Sequence, residues 1–220
     1  MKKGLTELVA ILDMSGSMAG YVNDTIGGYN GVLKKQQDEG HDVLVTTYVF
    51  NHDKTMLHDR VPVAEVAPLT EEQYRPRSNT ALMDAMGDAI RHIEKVHHYI
   101  REEDVPEHTM FFITTDGYEN SSRKYTSDEI KKLVSAKQEE GWEFIYLAAD
   151  IDAVETSANY GIRRERAVNF RKDRRGFGRA YESVDMALNA KIVGDSLDDG
   201  TWRIEADEDY ILGQDDSEEM

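Results

Sequence analysis

The alternation of two hydrophobic periods constrains the fold of this chain more than any other feature of its sequence. Residues 7–13 and 42–50 form apolar or β-branched runs that predict buried strands, whereas residues 80–99 carry apolar side chains at helical spacing. Residues 55–66 predict a weaker strand that contains Pro62, and proline is tolerated at the edge of a sheet. Strands that alternate with helical crossovers predict a mostly parallel sheet.

The complete pattern predicts the order β-α-β-β-α-β-α-β-α-β-α. The predicted strands cover residues 7–13, 42–50, 55–66, 109–115, 143–148 and 167–170, and the predicted helices cover residues 23–37, 80–99, 127–140, 153–160 and 177–192. We therefore predict a doubly wound, Rossmann-like α/β fold with a mostly parallel central sheet, one antiparallel edge strand and helices on both faces. In such sheets, ligands bind at the carboxyl ends of the strands, where the strand order reverses.

Negative charge is concentrated at the C-terminal end of the sequence. The chain has a formal net charge of −17, and eleven acidic residues against the single Arg203 give residues 195–220 a net charge of −10. Residues 1–194 therefore carry only −7. We predict a folded domain over residues 1–194 and an acidic tail over residues 195–220 that is either flexible or docked on the domain. So acidic a chain is a poor match for nucleic acid.

The sequence also predicts a cytoplasmic protein that has no membrane partner. It contains no cysteine, which excludes disulfides, thiolate metal ligands and cysteine nucleophiles and fits a reducing compartment. The apolar run at residues 8–12 is five residues long, too short for the core of a signal peptide or for a transmembrane segment.

Three predicted loops at the carboxyl ends of strands carry oxygen-bearing side chains. Asp13, Ser15 and Ser17 follow the first strand, Thr80 begins the long helix, and Asp116 follows the fourth strand. We call these five residues the oxygen cluster. Carboxylate and hydroxyl oxygens suit Mg²⁺, or alternatively Mn²⁺ or Ca²⁺, better than metals that prefer imidazole or thiolate. Two carboxylates just neutralise such an ion, so an open position could accept an anionic oxygen from outside.

The oxygen cluster resembles a known metal site. Asp13-x-Ser15-x-Ser17, then Thr80, then Asp116 are similar in type and order to the metal-ion-dependent adhesion site (MIDAS) of von Willebrand factor type A (VWA) domains. This resemblance implies that Ser15, Ser17 and Thr80 touch the ion, while Asp13 and Asp116 act largely through water. The same residues have a structural alternative, because serines can cap a helix and an Asp-Gly pair can be a simple turn.

The resemblance extends over roughly residues 5–192 and points to the intracellular microbial type of VWA protein. It implies a protein–protein binding module, a subunit or adaptor that coordinates a partner's Asp or Glu at the metal. Microbial relatives of this type work beside MoxR-type AAA+ ATPases, which makes such an ATPase a candidate partner. The residues implied at the rim of the partner site are Asn79, Tyr118, Glu119 and Asn120.

The alternative function is a metal-dependent phosphoryl-transfer or hydrolytic enzyme that uses the same cluster. A haloacid-dehalogenase-like phosphatase needs a second Asp two residues after the first, and Ser15 stands there. The sequence has neither the Gly-x-Ser-x-Gly motif of serine hydrolases nor a P-loop. The glycines at residues 27–31 lie inside the first predicted helix, so we interpret them as close helix–sheet packing rather than as a dinucleotide-binding turn. We therefore expect a binding protein and not an enzyme.

A basic segment precedes the acidic tail. Residues 163–179 contain eight basic and two acidic residues, a local net charge of +6. This pattern is typical of a solvated surface, but the segment could also pair with the acidic tail or with an acidic partner. We also consider that acidic side chains of the tail occupy the metal site, in the same molecule or in a neighbouring one.

Overall fold

The computed structural model describes residues 1–149 and 151–218, with side chains described through residue 214. The described strands form one sheet in the order β3-β2-β1-β4-β5-β6, in which every neighbouring pair is parallel except the antiparallel pair β2 and β3. The strands are Lys2–Asp13 (β1), Val43–Phe50 (β2), Lys54–Pro62 (β3), Pro106–Thr115 (β4), Glu143–Ala148 (β5) and Ala167–Asn169 (β6). The predicted fold class is confirmed, including the antiparallel edge strand.

Helices cover both faces of this sheet. They are Val22–Glu39 (α1), Leu82–Tyr99 (α2), Ser127–Glu139 (α3), Ala153–Asn159 (α4), Arg174–Ile192 (α5) and Ile204–Glu218 (α6). Side chains of β1 alternate between two cores: Leu8 and Leu12 pack on the face of α1 and α5, whereas Val9 and Ile11 pack on the face of α2 and α3. Both faces of β1 are therefore buried, which explains its nearly continuous apolar sequence.

The strand order reverses next to β1, and ligands bind at such a position in open α/β sheets. The chain passes from β1 to β2 on one side of β1, and then crosses to β4 on the other side. The strand order thus reverses at β1, and the loops that follow β1 and β4 leave the same edge of the sheet. These two loops carry Asp13 and Asp116, the two carboxylates of the oxygen cluster.

The boundaries of three elements differ from the predicted ones. The edge strand ends at Pro62 rather than residue 66, and Val63–Glu65 forms a 3-10 turn. Helix α2 begins at Leu82 rather than residue 80, which leaves Thr80 in the preceding loop. Helix α5 begins three residues earlier than predicted, at Arg174, because the side chain of Asp173 accepts a hydrogen bond from the Gly176 amide at 2.8 Å.

The glycine-rich part of α1 packs against a helix and not against the sheet. A Cβ atom on Gly28 would lie 2.1 Å from Cδ2 of Tyr181 in α5, whereas Gly27 and Gly31 have open space where a Cβ would be. The interpretation of close packing therefore holds at Gly28, but its partner is α5.

The segment that follows α5 folds back onto the domain. Leu197, Trp202 and Ala206 are buried in the core on the α1 and α5 face. The indole Nε1 of Trp202 donates a hydrogen bond to the carbonyl of Leu197 at 3.1 Å. Thr201–Arg203 forms a 3-10 turn that leads into α6, a helix that the sequence pattern did not predict.

Ion pairs join the basic segment to this C-terminal region. Arg166 pairs with Asp198 at 2.7 Å, Arg175 pairs with Asp209 at 2.5 Å, and Arg179 pairs with Glu205. Three basic residues of the segment therefore pair with the C-terminal region, as the alternative interpretation of this segment predicted, rather than being only solvated. The acidic side chains at positions 215, 216, 218 and 219, which were also considered as occupants of the metal site, lie outside the described residues.

Within the described residues, no helix has the length and apolar character that crossing a bilayer requires.

Candidate metal site

The loop after β1 turns back on its own carboxylate. Asp13 ends β1 and is fully buried, and its Oδ1 accepts a hydrogen bond from the backbone amide of Ser15 at 2.7 Å. The hydroxyls of Ser15 and Ser17 lie 3.1 Å apart, because a 3-10 turn begins at Gly16 and brings both side chains to one side. The sequence spacing Asp-x-Ser-x-Ser thus gathers three side chains around one point.

Hydrogen bonds connect this loop to the end of β4. The Ser17 hydroxyl donates to Oδ1 of Asp116 at 2.6 Å, and the Thr115 hydroxyl donates to Oδ2 of Asp13 at 2.7 Å. Asp116 therefore accepts a hydrogen bond from a hydroxyl of the β1 loop, and Asp13 accepts one from a hydroxyl at the end of β4. Thr115 was not assigned to the cluster from the sequence, although it directly precedes Asp116.

Thr80 lies between the two loops. Its amide donates to Oδ1 of Asn120 at 2.9 Å, and its carbonyl accepts hydrogen bonds from the amides of Asn120 at 3.0 Å and Ser121 at 3.2 Å. Two residues earlier, the carbonyl of Ser78 accepts the amide of Gly16 at 3.0 Å. Ser78 has a left-handed backbone (φ 66°), which is unusual for serine and persists because such contacts hold it. All three predicted segments are brought together.

The four predicted rim residues lie in two environments. Asn79 and Tyr118 are exposed beside the cluster. Asn120 uses its side chain to hold Thr80, as described above. The carboxylate of Glu119 accepts hydrogen bonds from the amides of Met83, Ser121 and Ser122 at 2.9, 2.8 and 2.7 Å, so it caps the start of α2. Asn120 is exposed as well, so the surface next to the cluster is built mainly by Asn79, Tyr118 and Asn120.

A lysine from another loop reaches the cluster. Nζ of Lys172, in the loop between β6 and α5, lies 2.9 Å from Oδ2 of Asp116. This pair is an ion pair without a well-directed hydrogen bond, since the buried Oδ2 receives none. The sequence interpretation counted Lys172 only within the basic segment, and only a spatial contact between distant loops could have revealed it.

The electrostatics of the cluster favour a cation. Burial raises the pKa of the Asp13 carboxyl to about 6, against the opposing effect of hydrogen bonds from Thr115 and Ser15, and the neighbouring charge of Asp116 raises it slightly further. Burial disfavours the charged form of a carboxyl unless a cation or hydrogen-bond donors compensate. Two buried carboxylates close together therefore attract positive charge.

The donor set fits a hard divalent cation. It consists of oxygen atoms only, and the buried Oδ2 of Asp116 has no directed hydrogen bond, which leaves a lone pair available. In the described part of the chain, no group of three or more His, Cys, Asp or Glu side chains comes together as a metal site. An ion at the oxygen cluster would therefore rely on the hydroxyls of Ser15, Ser17 and Thr80 beside the two carboxylates.

Comparison with known proteins identifies the fold. No protein-family model and no curated protein matches this sequence. The vWF domain of the type V pili tip protein Mfa5 from Porphyromonas gingivalis matches with a TM-score of 0.65 at 10% identity, over 87% of this chain and 97% of that one. The SpRpn10 VWA domain matches with a TM-score of 0.56 at 7% identity, over 80% of this chain and 93% of that one.

The ArnB paralog VWA2 from Sulfolobus acidocaldarius matches with a TM-score of 0.54 at 13% identity, over 84% of this chain and 45% of that one. This chain therefore spans less than half of the Sulfolobus protein. These neighbours are VWA domains, so the chain has a VWA-like α/β fold. At such low identities the likeness shows the fold, and the function must be argued from the site.

Proposed function

We propose that this chain is a protein-binding module that depends on a divalent cation, Mg²⁺ in the first place, and coordinates an Asp or Glu carboxylate of a protein partner. The observation that carries the proposal is the hydrogen-bonded junction of the β1 and β4 loops. Ser17 joins Asp116, and Thr115 joins Asp13, at the point where the strand order reverses. The VWA-like fold supports an interaction module, and the resemblance of the oxygen cluster to a MIDAS supports the role of the metal.

Each residue of the cluster has a proposed role. Ser15, Ser17 and Thr80 would offer hydroxyl oxygens to the ion, and Asp13 and Asp116 would neutralise its charge largely through water. The bound ion would supply a Lewis-acidic position for one oxygen of the partner's carboxylate. The exposed residues Asn79 and Tyr118 would contact the partner around that position.

The surroundings of the cluster favour binding over turnover. Among the described residues, the side chains that hydrogen-bond or pair with Asp13 or Asp116 are hydroxyls and one ammonium, from Ser15, Ser17, Thr115 and Lys172. None of these is an imidazole that could act as a general base near neutral pH. A metal-dependent phosphatase or hydrolase remains the competing function. Magnesium-dependent hydrolysis of p-nitrophenyl phosphate that disappears in Asp13→Asn would establish it instead.

The resemblance further suggests where the module works. We propose a cytoplasmic adaptor or subunit, with a MoxR-type AAA+ ATPase as one candidate partner. The partner should present its carboxylate on an exposed segment, because the junction of the loops lies at the edge of the sheet, beside the exposed residues Asn79 and Tyr118.

Calorimetric titration with Mg²⁺, Mn²⁺ and Ca²⁺ tests the metal part of the proposal. We expect Asp13→Asn and Ser17→Ala to abolish or strongly weaken binding. Asp128→Asn removes an equal charge from an exposed position in the first turn of α3 and should bind like the wild type. Capture of a partner that is lost on chelation and in Ser17→Ala would support the coordination of a partner's carboxylate by the ion. Equal metal binding by Asp13→Asn and the wild type would refute the site.

A further inference from the structure

Lys172 approaches the cluster from a loop that otherwise belongs to the basic segment. Its Nζ lies 2.9 Å from Oδ2 of Asp116, whose side chain is completely buried, while the side chain of Lys172 is 19% exposed. Neighbouring cations of the same segment point elsewhere, since Arg175 and Arg179 pair with Asp209 and Glu205 of α6. Lys172 is thus directed inward, towards the proposed metal site.

The loop holds Lys172 in this position. Asp173 caps α5 through the Gly176 amide at 2.8 Å, and the amide of Phe170 donates to the carbonyl of Ala148 at 3.0 Å. A Cβ atom on Gly176 would lie 2.0 Å from the carbonyl oxygen of Arg171, so this turn requires glycine. Little backbone freedom remains on either side of the lysine.

An aromatic face supports the ammonium group. Nζ of Lys172 lies 5.4 Å from the centroid of the Tyr21 ring, and this ring stacks on Phe177 of α5 at 5.2 Å between centroids. A cation over an aromatic face is attracted by the ring quadrupole. The ammonium is therefore held between a buried carboxylate and an aromatic ring that is itself fixed by stacking on α5.

We infer that Lys172 is the resident cation of the oxygen cluster and that a divalent ion binds by displacing its ammonium from Asp116. This inference rests on the proposed function. Without an ion, the two carboxylates and Lys172 have a net charge of about −1, so the lysine already satisfies much of the site's demand for positive charge. An incoming ion must compete with this charge, and Lys172 thereby sets the metal affinity.

Removal of the ammonium should therefore strengthen metal binding. We expect Lys172→Met to bind Mg²⁺ about 10- to 100-fold more tightly than the wild type, since loss of a like charge within a few ångströms typically changes site energetics by that order. Lys172→Arg keeps the charge and should bind no more tightly than the wild type. Arg174→Met removes an exposed cation two residues away and should change the affinity less than about threefold.

The metal-free protein should respond in the opposite direction. In chelator, Lys172→Met should have a lower thermal midpoint than the wild type, because the buried carboxylate of Asp116 loses its cationic partner. Arg174→Met should leave the midpoint nearly unchanged. A merely structural lysine would lower the midpoint without raising the metal affinity, so the two readouts together distinguish the roles.

Calorimetry with Mg²⁺ alone, paired with thermal unfolding in chelator, decides the matter. Tighter binding and a lower metal-free midpoint in Lys172→Met support the exchange. If Lys172→Met binds no more tightly than the wild type while Asp13→Asn still abolishes binding, the exchange is refuted and the proposed function stands. If neither the wild type nor Lys172→Met binds any divalent ion, both proposals fail. If only Lys172→Met binds, the ammonium of the wild type is not displaced by the ion, so the exchange is refuted together with metal dependence.

Discussion

Alanine substitution at two glycines of α1 should have opposite effects on the stability of the fold. A Cβ atom on Gly28 would lie 2.1 Å from the Tyr181 ring, whereas a Cβ on Gly31 would meet no atom within 4 Å. Alanine in place of an unhindered helical glycine stabilises by about 0.5–1 kcal/mol, and overpacking a core costs about 1–3 kcal/mol. We expect Gly31→Ala to stabilise the fold by about 0.5–1 kcal/mol and Gly28→Ala to destabilise it by about 1–2 kcal/mol.

The Tyr181 ring has little room to move away. It is buried between α1 and the sheet and packs edge-on against Phe112 of β4, with ring centroids 6.3 Å apart. A new methyl group must therefore push α1 and α5 apart or force the tyrosine into a poorer rotamer. For this reason, the free energy lost to overpacking at Gly28 should exceed the free energy gained from the higher helix propensity of alanine.

Urea unfolding of the two variants and the wild type measures the difference directly. The separation between the variants should reach about 2 kcal/mol, which corresponds to roughly 4–8 °C in thermal midpoint for a chain of this size. Equal m-values would confirm that the folded and unfolded states are comparable. A Gly28→Ala variant as stable as Gly31→Ala would refute the close helix contact.

Three further perturbations address the C-terminal region and the metal site. Trp202→Ala removes a side chain buried in the main core and should cost about 3–5 kcal/mol of unfolding free energy in urea denaturation, so that residues 195–220 do not behave as a dispensable tail. Arg166→Met breaks a buried pair with Glu143 at 2.8 Å and a contact with Asp198, and should cost about 3 kcal/mol by the same assay. Chelation should leave the far-ultraviolet circular dichroism unchanged, and Mg²⁺ at a hundred times its dissociation constant should stabilise the protein by about 2.7 kcal/mol.

The fold could be predicted because burial dictates the period of each element. Strand β1 is buried on both faces and is apolar at successive positions, whereas α2 shows a clear stripe with Ala85, Ile90 and Ile93 buried. Pro62 correctly marked the edge strand, since a proline cannot donate to a sheet ladder. These signals are local, and one sequence suffices to read them.

Helix α6 could not be predicted, because its stability depends on contacts with the rest of the fold. Its acidic residues have partners on distant elements, as Asp209 has in Arg175, while Ile211 and Leu212 are exposed. The helix therefore has no apolar stripe that a pattern could reveal. The signals for docking were the aromatic and aliphatic residues within the acidic stretch, of which Trp202 is buried.

The meeting of the two loops could be predicted from the sequence, but the side-chain contacts between them could not. Strand-end positions predicted that the loops of Asp13 and Asp116 meet, because parallel neighbouring strands end at the same edge. The inward direction of Lys172 and the capping role of Glu119 depend on side-chain geometry across loops that are far apart in sequence. No periodicity reports such contacts, and charge counting placed Lys172 with its basic neighbours.

The hydrogen bonds and the ion pair of the cluster explain how two buried carboxylates can lie close together in the folded domain. Asp13 receives a hydroxyl and an amide, and Asp116 receives a hydroxyl and an ammonium, so each negative charge is stabilised by groups of this chain. Those same groups orient the carboxylate oxygens towards the loop junction before any ion arrives. If the proposed metal site is correct, these contacts preorganise it for a cation. Under the proposed exchange, metal binding would be a competition between two cations, and the position of Lys172 would set how strongly the divalent ion must compete.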